Sequence, residues 1–144
     1  MANRLHLKIV TPARTVYDDN VEMVILRGEE GDMGILSGHE NRVAILGVGP
    51  LRIKNGEEES ELAVLGGFAE ILNDRVTVLA ETAEWPDEID KVRAEEARVR
   101  AEQRLLQKAS DVDTQRAEAA LRRALVRIEV SAYPLIRGRV DSGQ

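Results

Sequence analysis

The sequence predicts a β + α protein, with an N-terminal antiparallel β-sandwich or flattened barrel over residues 1–84 and a C-terminal antiparallel two-helix hairpin over residues 85–144 that ends in a short tail. Three observations lead there. The hydrophobic period is near two residues up to about residue 83 and near 3.6 residues beyond it. The composition turns rich in alanine and charge after Trp85-Pro86-Asp87. The charge balance shifts at the same place: residues 1–84 carry 8 Lys/Arg against 15 Asp/Glu, whereas residues 85–144 carry 12 against 11.

The strands come first. Leu5, Leu7 and Ile9 alternate with polar residues, and Val16 to Leu26 reads as one long segment rich in β-branched residues. Segments near 41–48, 50–54, 61–65, 67–72 and 75–80 have the same character. Asn55-Gly56 tolerates positive φ and fits a tight hairpin turn, and Asn73-Asp74 separates the next two strands in the same way. Many short strands with no helix between them indicate two packed sheets or a closed one.

The helices follow. Pro86 and Asp87 suit a helix start, with Asp87 as N-cap and Glu88 and Asp90 in the first turn. Ala94, Ala97, Ala101, Leu105 and Ala109 then recur at spacings of three and four as one narrow apolar stripe. Ser110-Asp111-Val112-Asp113 breaks the pattern and offers a second N-cap. A second stripe runs through Ala117, Leu121, Ala124, Leu125, Ile128 and Ala132, and Pro134 ends it. So short a break implies an antiparallel hairpin. Because the stripes are mostly alanine they bury little apolar area, so the hairpin is marginal without a surface to pack on.

Composition excludes several function classes. With no cysteine there is neither a disulfide nor a thiolate metal site, which agrees with a reducing compartment. His6 and His39 are the only histidines, so metal-ligand spacing is absent and no metal is expected. No apolar run approaches the roughly 18 residues that span a bilayer, and the N-terminus enters an alternating pattern without a leader's apolar stretch. An acidic front half and few aromatics argue against nucleic acid. There is no phosphate-binding loop with its lysine and no nucleophile beside a base, so the chain is not expected to turn over substrate.

The tail carries the chemistry. Arg93 and Arg100 are seven residues apart and share a helix face, and Arg123 and Arg127 are four apart and share another. Folding the hairpin about residue 111 brings Arg93 level with Arg127 and Arg100 level with Arg123. Four guanidiniums brought together repel one another unless anions neutralise them, and their bidentate donors suit phosphate. The alternative is that they pair with Glu95, Glu96, Glu102 and Glu118 on solvated faces.

Four segments, in order, carry a family resemblance: Leu7-Lys8-Ile9-Val10-Thr11-Pro12-Ala13-Arg14, Gly31-Asp32-Met33-Gly34-Ile35-Leu36-Ser37-Gly38-His39, Gly66-Gly67-Phe68-Ala69-Glu70, and Val76 to Ala83. Across about residues 4–130 the chain resembles the epsilon subunits of bacterial F-type ATP synthases. Ser37 stands where that family often has proline, and Asp32 where it often has glutamate.

The resemblance implies a non-catalytic rotor subunit on the cytoplasmic face of the bacterial plasma membrane, attached there only through its complex. Its partners would be the gamma subunit, the ring of c subunits and, with the hairpin extended, the alpha/beta catalytic head. Asp32 and His39 would lie on the side facing the c-ring. Ile89-Asp90-Lys91-Val92-Arg93-Ala94 is similar to the Ile/Leu-Asp-x-x-Arg-Ala motif of ATP-binding members. By that likeness Glu84 and Asp90 would bond the adenine amino group, and Ile89 and Ala94 would shape the base pocket. Arg93, Arg100, Arg123 and Arg127 would meet the phosphates of ATP acting as a regulatory ligand. Two other classes stay open: a free-standing ATP-sensing module, and a coiled-coil adaptor without nucleotide.

Overall fold

The computed structural model describes residues 4–107 and 110–134. Ala109 of the first stripe and the tail beyond Pro134 lie outside them. Eight strands come first: β1 Leu5–Val10, β2 Thr15–Val21, β3 Met23–Gly28, β4 Gly31–Leu36, β5 Arg42–Asn55, β6 Glu58–Leu72, β7 Arg75–Ala80 and β8 Ala83–Glu84. Two helices follow, α1 Lys91–Leu106 and α2 Asp111–Ser131. The strands hydrogen-bond in the order β2-β1-β7-β6-β5-β3-β4, with β8 on β6. Every pairing is antiparallel except β1 with β7. The hairpin to β6 fixes the direction of β7, and β1 meets its far edge running the same way.

Several expected boundaries shift. The segment from Val16 to Leu26 is two strands, because β2 pairs with β1 and β3 leaves to pair with β4 and β5. Conversely, the pairs of short segments near 41–54 and 61–72 are the single long strands β5 and β6. The Asn55-Gly56 turn joins them, with Gly56 at φ 66°. Asn73 and Asp74 both have positive φ (50° and 62°), as a primed two-residue turn requires.

One chain-long hairpin forms both layers because its side chains change phase in the middle. In β5 the buried residues are Ala44 and Leu46 on one half and Leu51 and Ile53 on the other. In β6 the residues that enter the core between the layers are Leu62 and Val64, then Ala69 and Ile71, while Ala63 and Leu65 are buried on the opposite face. Each list passes from one parity to the other, so each strand turns its opposite face to the same core. The inversion sits at Gly47, Gly66 and Gly67, where the regular pairing skips from Val48↔Leu65 to Leu46↔Gly67. Gly66 and Gly67 have φ 88° and 125°, and a Cβ on Gly67 would lie 2.2 Å from the carbonyl oxygen of Leu79. Only glycine fits there.

The core between the layers holds Leu5, Leu7, Ile9, Leu26, Ile35 and Trp85, among others. Trp85 is 1% exposed and tilts against Tyr17 with ring centroids 6.2 Å apart. The tail therefore starts from a residue rooted in the head. A single 3₁₀ turn, Pro86–Glu88, follows. Its Glu88 accepts the Trp85 amide (3.0 Å) with one carboxylate oxygen and Arg14 Nη2 (2.6 Å) with the other. The α-helix begins later than expected. Asp90, not Asp87, is its N-cap and accepts the Arg93 amide at 3.1 Å. Ser110 caps α2 by accepting the Asp113 amide.

Ala94, Ala101, Ala117 and Ala124 are buried in the hairpin, as the stripes require. Leu125 is not; it is 47% exposed. The reason is that α2 packs on two neighbours. Ala117 and Ala124 share its α1 side, whereas Val126 and Val130 pack on Ala63 and Leu65 of β6, with Val48 and Ile89 alongside. Leu125 falls between the two contact faces.

Candidate functional site

The residues proposed for nucleotide converge. One open cleft of about 390 Å³ between the head and the hairpin is lined by Glu84, Ile89, Asp90, Arg93, Ala94, Arg100, Arg123 and Arg127, together with Glu88, Ala97, Ala120 and Ala124. That volume lies within the range of small-molecule sites. The head contributes Glu84 from β8, the linker Ile89 and the Asp90 cap, and the two helices the arginines. Residues 93–100 of α1 and 120–127 of α2 share the cleft, so the hairpin is antiparallel and its arginines meet across it.

The small residues matter as much as the charged ones. Ala94, Ala97, Ala120 and Ala124 line the cleft between the arginine levels. Leucines there would fill the space that the alanines leave. The same stripe that makes the hairpin weak makes it hollow.

The arginines differ in their partners. Arg127 Nε donates to Glu84 Oε1 at 2.8 Å, joining α2 to the head. Among the described residues no carboxylate oxygen lies within ion-pair distance of Arg93, Arg100 or Arg123. The solvated pairing that the sequence offered is instead made by Arg98, to Glu95 at 3.0 Å and Glu102 at 2.6 Å. Those contacts hold the Arg98 guanidinium above its ordinary pKa. Three guanidiniums without an ion pair among the described residues thus face a cleft that is also lined by the carboxylates of Glu84, Glu88 and Asp90. One oxygen of Asp90 is engaged by the helix cap.

Asp32 and His39 lie apart from this cleft. Asp32 is on β4 and is ion-paired with Arg27 directly across on β3. That contact raises the Arg27 pKa. Asp32 lines an open hollow with Glu29, Glu30, Arg42 and Ile45, which does not include His39. His39 sits in the turn after β4, its amide donating to Leu36 O at 3.2 Å and its Nδ1 2.7 Å from Glu40 O. Asp74 braces this turn, accepting Gly38 N (2.7 Å) and Ser37 Oγ (3.1 Å). The Ser37 hydroxyl thus makes a bond that a proline at this position could not.

Two features escaped the sequence reading. Glu88 lines the cleft and also ties the linker to the head. Its signal was present, an acidic residue just after Pro86, but it was read only as a helix-start charge. The second is an apolar row on the outer face of the sandwich. Ile45, Phe68 and Leu79 are neighbours across β5, β6 and β7 and are 60%, 45% and 39% exposed. Alternation revealed that each strand had two faces but not that the outer one is left bare.

Comparison with known proteins places these elements in a family. Residues 4–86 match the β-sandwich domain, and residues 87–132 the long α-helix domain, of the ATP synthase delta/epsilon chain. A protein of Bacillus cytotoxicus named ATP synthase epsilon chain is 51% identical, over 87% of this chain and 94% of its own length. Another of that name, from Desulforamulus reducens, is 45% identical over 91% and 99%. Among solved structures, the fold is shared with a chain of the Euglena gracilis mitochondrial ATP synthase. There the TM-score is 0.78 at 24% identity, over 90% of this chain and 82% of that one.

Proposed function

Because the chain belongs to the ATP synthase delta/epsilon-chain family, we propose that it is a non-catalytic epsilon subunit of the enzyme's central stalk, and that its hairpin responds to ATP. The observation that carries the second part is the convergence of eight residues on one cleft with three unpaired guanidiniums among the described residues. Phosphates take up Arg93, Arg100 and Arg123 and draw Arg127 from Glu84. The freed Glu84 and the unengaged oxygen of Asp90 then accept from the adenine amino group. Ile89 and Ala94 bound the base. Bound ATP ties both helices to the head and so favours the folded tail. Low ATP lets the helices extend toward the alpha/beta head and restrain hydrolysis. A ligand shifts such an equilibrium only through its difference in affinity for the two states, and the extended tail separates the four arginines.

The head carries the rotor contacts. An exposed apolar row is an expected protein interface, and Ile45, Phe68 and Leu79 are assigned to the gamma subunit. Asp32 and the His39 turn, at the β4 end, are assigned to the c-ring. Through these partners ion-driven rotation is coupled to ATP synthesis, and the subunit sits on the cytoplasmic face of the bacterial membrane.

Calorimetric titration of the intact subunit with ATP tests the nucleotide reading. Saturable binding and a rise in melting temperature are expected, both lost in Arg93→Ala/Arg127→Ala. That variant also lacks the partly exposed Glu84 pair, a baseline cost of about 1 kcal/mol. No heat at millimolar ATP sinks the nucleotide role. One observation favours the adaptor as a second reading: Val92, Val99 and Leu106, seven residues apart, are 67%, 41% and 81% exposed, a stripe suited to a partner helix. It predicts tail-dependent partner binding that ATP does not alter.

A further inference from the structure

Glu61 is the one buried charged residue among the described residues, 3% exposed. It stands on β6 two residues before Ala63, on the same outer face that receives α2. Among the described residues its Oε1 has no hydrogen-bond partner. Arg52, its neighbour across β5, approaches Oε2 only to 3.5 Å while 38% of its own side chain stays in solvent. The other groups facing it are unhelpful. Glu59 on its own strand and Glu129 on α2 both add negative potential. Tyr133, just past the end of α2, is close enough to feel Glu59, Glu61 and Arg52 and is uncharged near neutral pH. On β8, Glu84 is already neutralised by Arg127.

We propose that Glu61 is a proton-operated latch for the tail: α2 docks on the sandwich over a protonated Glu61, and loss of that proton drives the hairpin off. This rests on the reading above that the tail moves. An ionised carboxylate with an orphaned oxygen is costly in a site closed to water. Neutralising it removes both that cost and the repulsion from Glu129. Releasing α2 returns Glu61 to solvent, where ionisation is cheap. The contact that holds α2 on the head is small, Val126 and Val130 on Ala63 and Leu65 with Val48 and Ile89 alongside, plus the Arg127–Glu84 pair, so one carboxylate can tip it.

The direction follows from linkage. Burial is the main cause that holds the docked Glu61 above its ordinary carboxylate pKa, and Arg52 only partly offsets it. Docking is therefore unpenalised at acid pH, where both states are protonated. It weakens as pH rises from the ordinary carboxylate value of the released Glu61 to the docked value, by about tenfold in the equilibrium for each unit that separates the two.

The absence of native cysteine permits a clean test. Dyes placed at Glu57→Cys on the head and Val112→Cys at the hairpin tip report tail release by energy transfer, in buffers from just below the ordinary carboxylate pKa to mildly alkaline, with and without ATP. Transfer should fall as pH rises in the parent chain. It should stay high and flat in Glu61→Gln and fall less steeply in Glu129→Gln. Urea unfolding of the unlabelled proteins adds a readout independent of the dyes: the stability gained by Glu61→Gln should grow with pH. A pH profile of transfer that survives Glu61→Gln overturns the latch, as does a Glu61→Gln stability increment that does not change with pH. Closure by ATP with no pH response sinks the latch and leaves the nucleotide reading standing. A Glu61-dependent pH response without closure by ATP does the reverse. Constant transfer under every condition overturns both.

Discussion

Ser110 starts α2 with a single hydroxyl, accepting the Asp113 amide at 3.2 Å. Ser110→Ala should cost about 1 kcal/mol, read as a lower thermal midpoint with unchanged strand content. A change of less than a few tenths would mean that the hairpin turn is held by something else. This cap was legible because Ser-x-x-Asp follows the end of an apolar stripe. The first helix was harder to place. Asp87, Glu88 and Asp90 all suit a helix start, and local propensity does not choose among them. Trp85 decides it: once the indole is buried against Tyr17, Pro86–Glu88 close a tight turn under it and only Asp90 is left to cap. The four arginines were legible for the opposite reason, since helical spacing and one fold-back point suffice to bring them together. That Arg127 is held by Glu84 while the three others make no ion pair among the described residues was not, because ion-pair choice depends on distances no spacing rule encodes.

At the scale of elements, β5 and β6 hold the fold together by changing phase where they cross from one layer to the other. Gly67→Ala places a Cβ 2.2 Å from the Leu79 carbonyl at φ 125°, so it should destabilise the head by roughly 3 kcal/mol or more. Urea unfolding followed at Trp85 measures this, and near-wild-type stability would mean that the inversion is made elsewhere. Sequence alternation revealed both halves of each strand but split them at the glycines, because a parity change looks like a gap between two elements. It also missed β4, whose residues Gly31, Asp32, Gly34 and Leu36 are exposed, leaving only Ile35 and the partly buried Met33 as an inward signal. For α2 the failure differs. A single stripe was expected where two contact faces exist, and a helix between two neighbours has no one apolar side.

For the molecule as a whole, the head presents its bare apolar row outward while the tail closes the opposite layer. Phe68→Glu should cost no more than about 1 kcal/mol, since nearly half of the residue is already in water. It should nonetheless abolish capture of the gamma subunit in a pull-down from reconstituted stalk components. Retained capture would move the interface off this face. The linker has a consequence of a different kind. Trp85 is rooted in the sandwich and Asp90 already caps α1, so only the few peptides between them can reorient the tail. The 16 residues of α1 make an arm about 24 Å long. A rotation of roughly 20° at such a pivot sweeps the tip by about 8 Å, so torsional changes too small to disturb the head become displacements the width of a helix at the far end. Arg14, gripping Glu88 beside that pivot, is placed like a thumb on a lever near its fulcrum, where a small restraint governs a long reach.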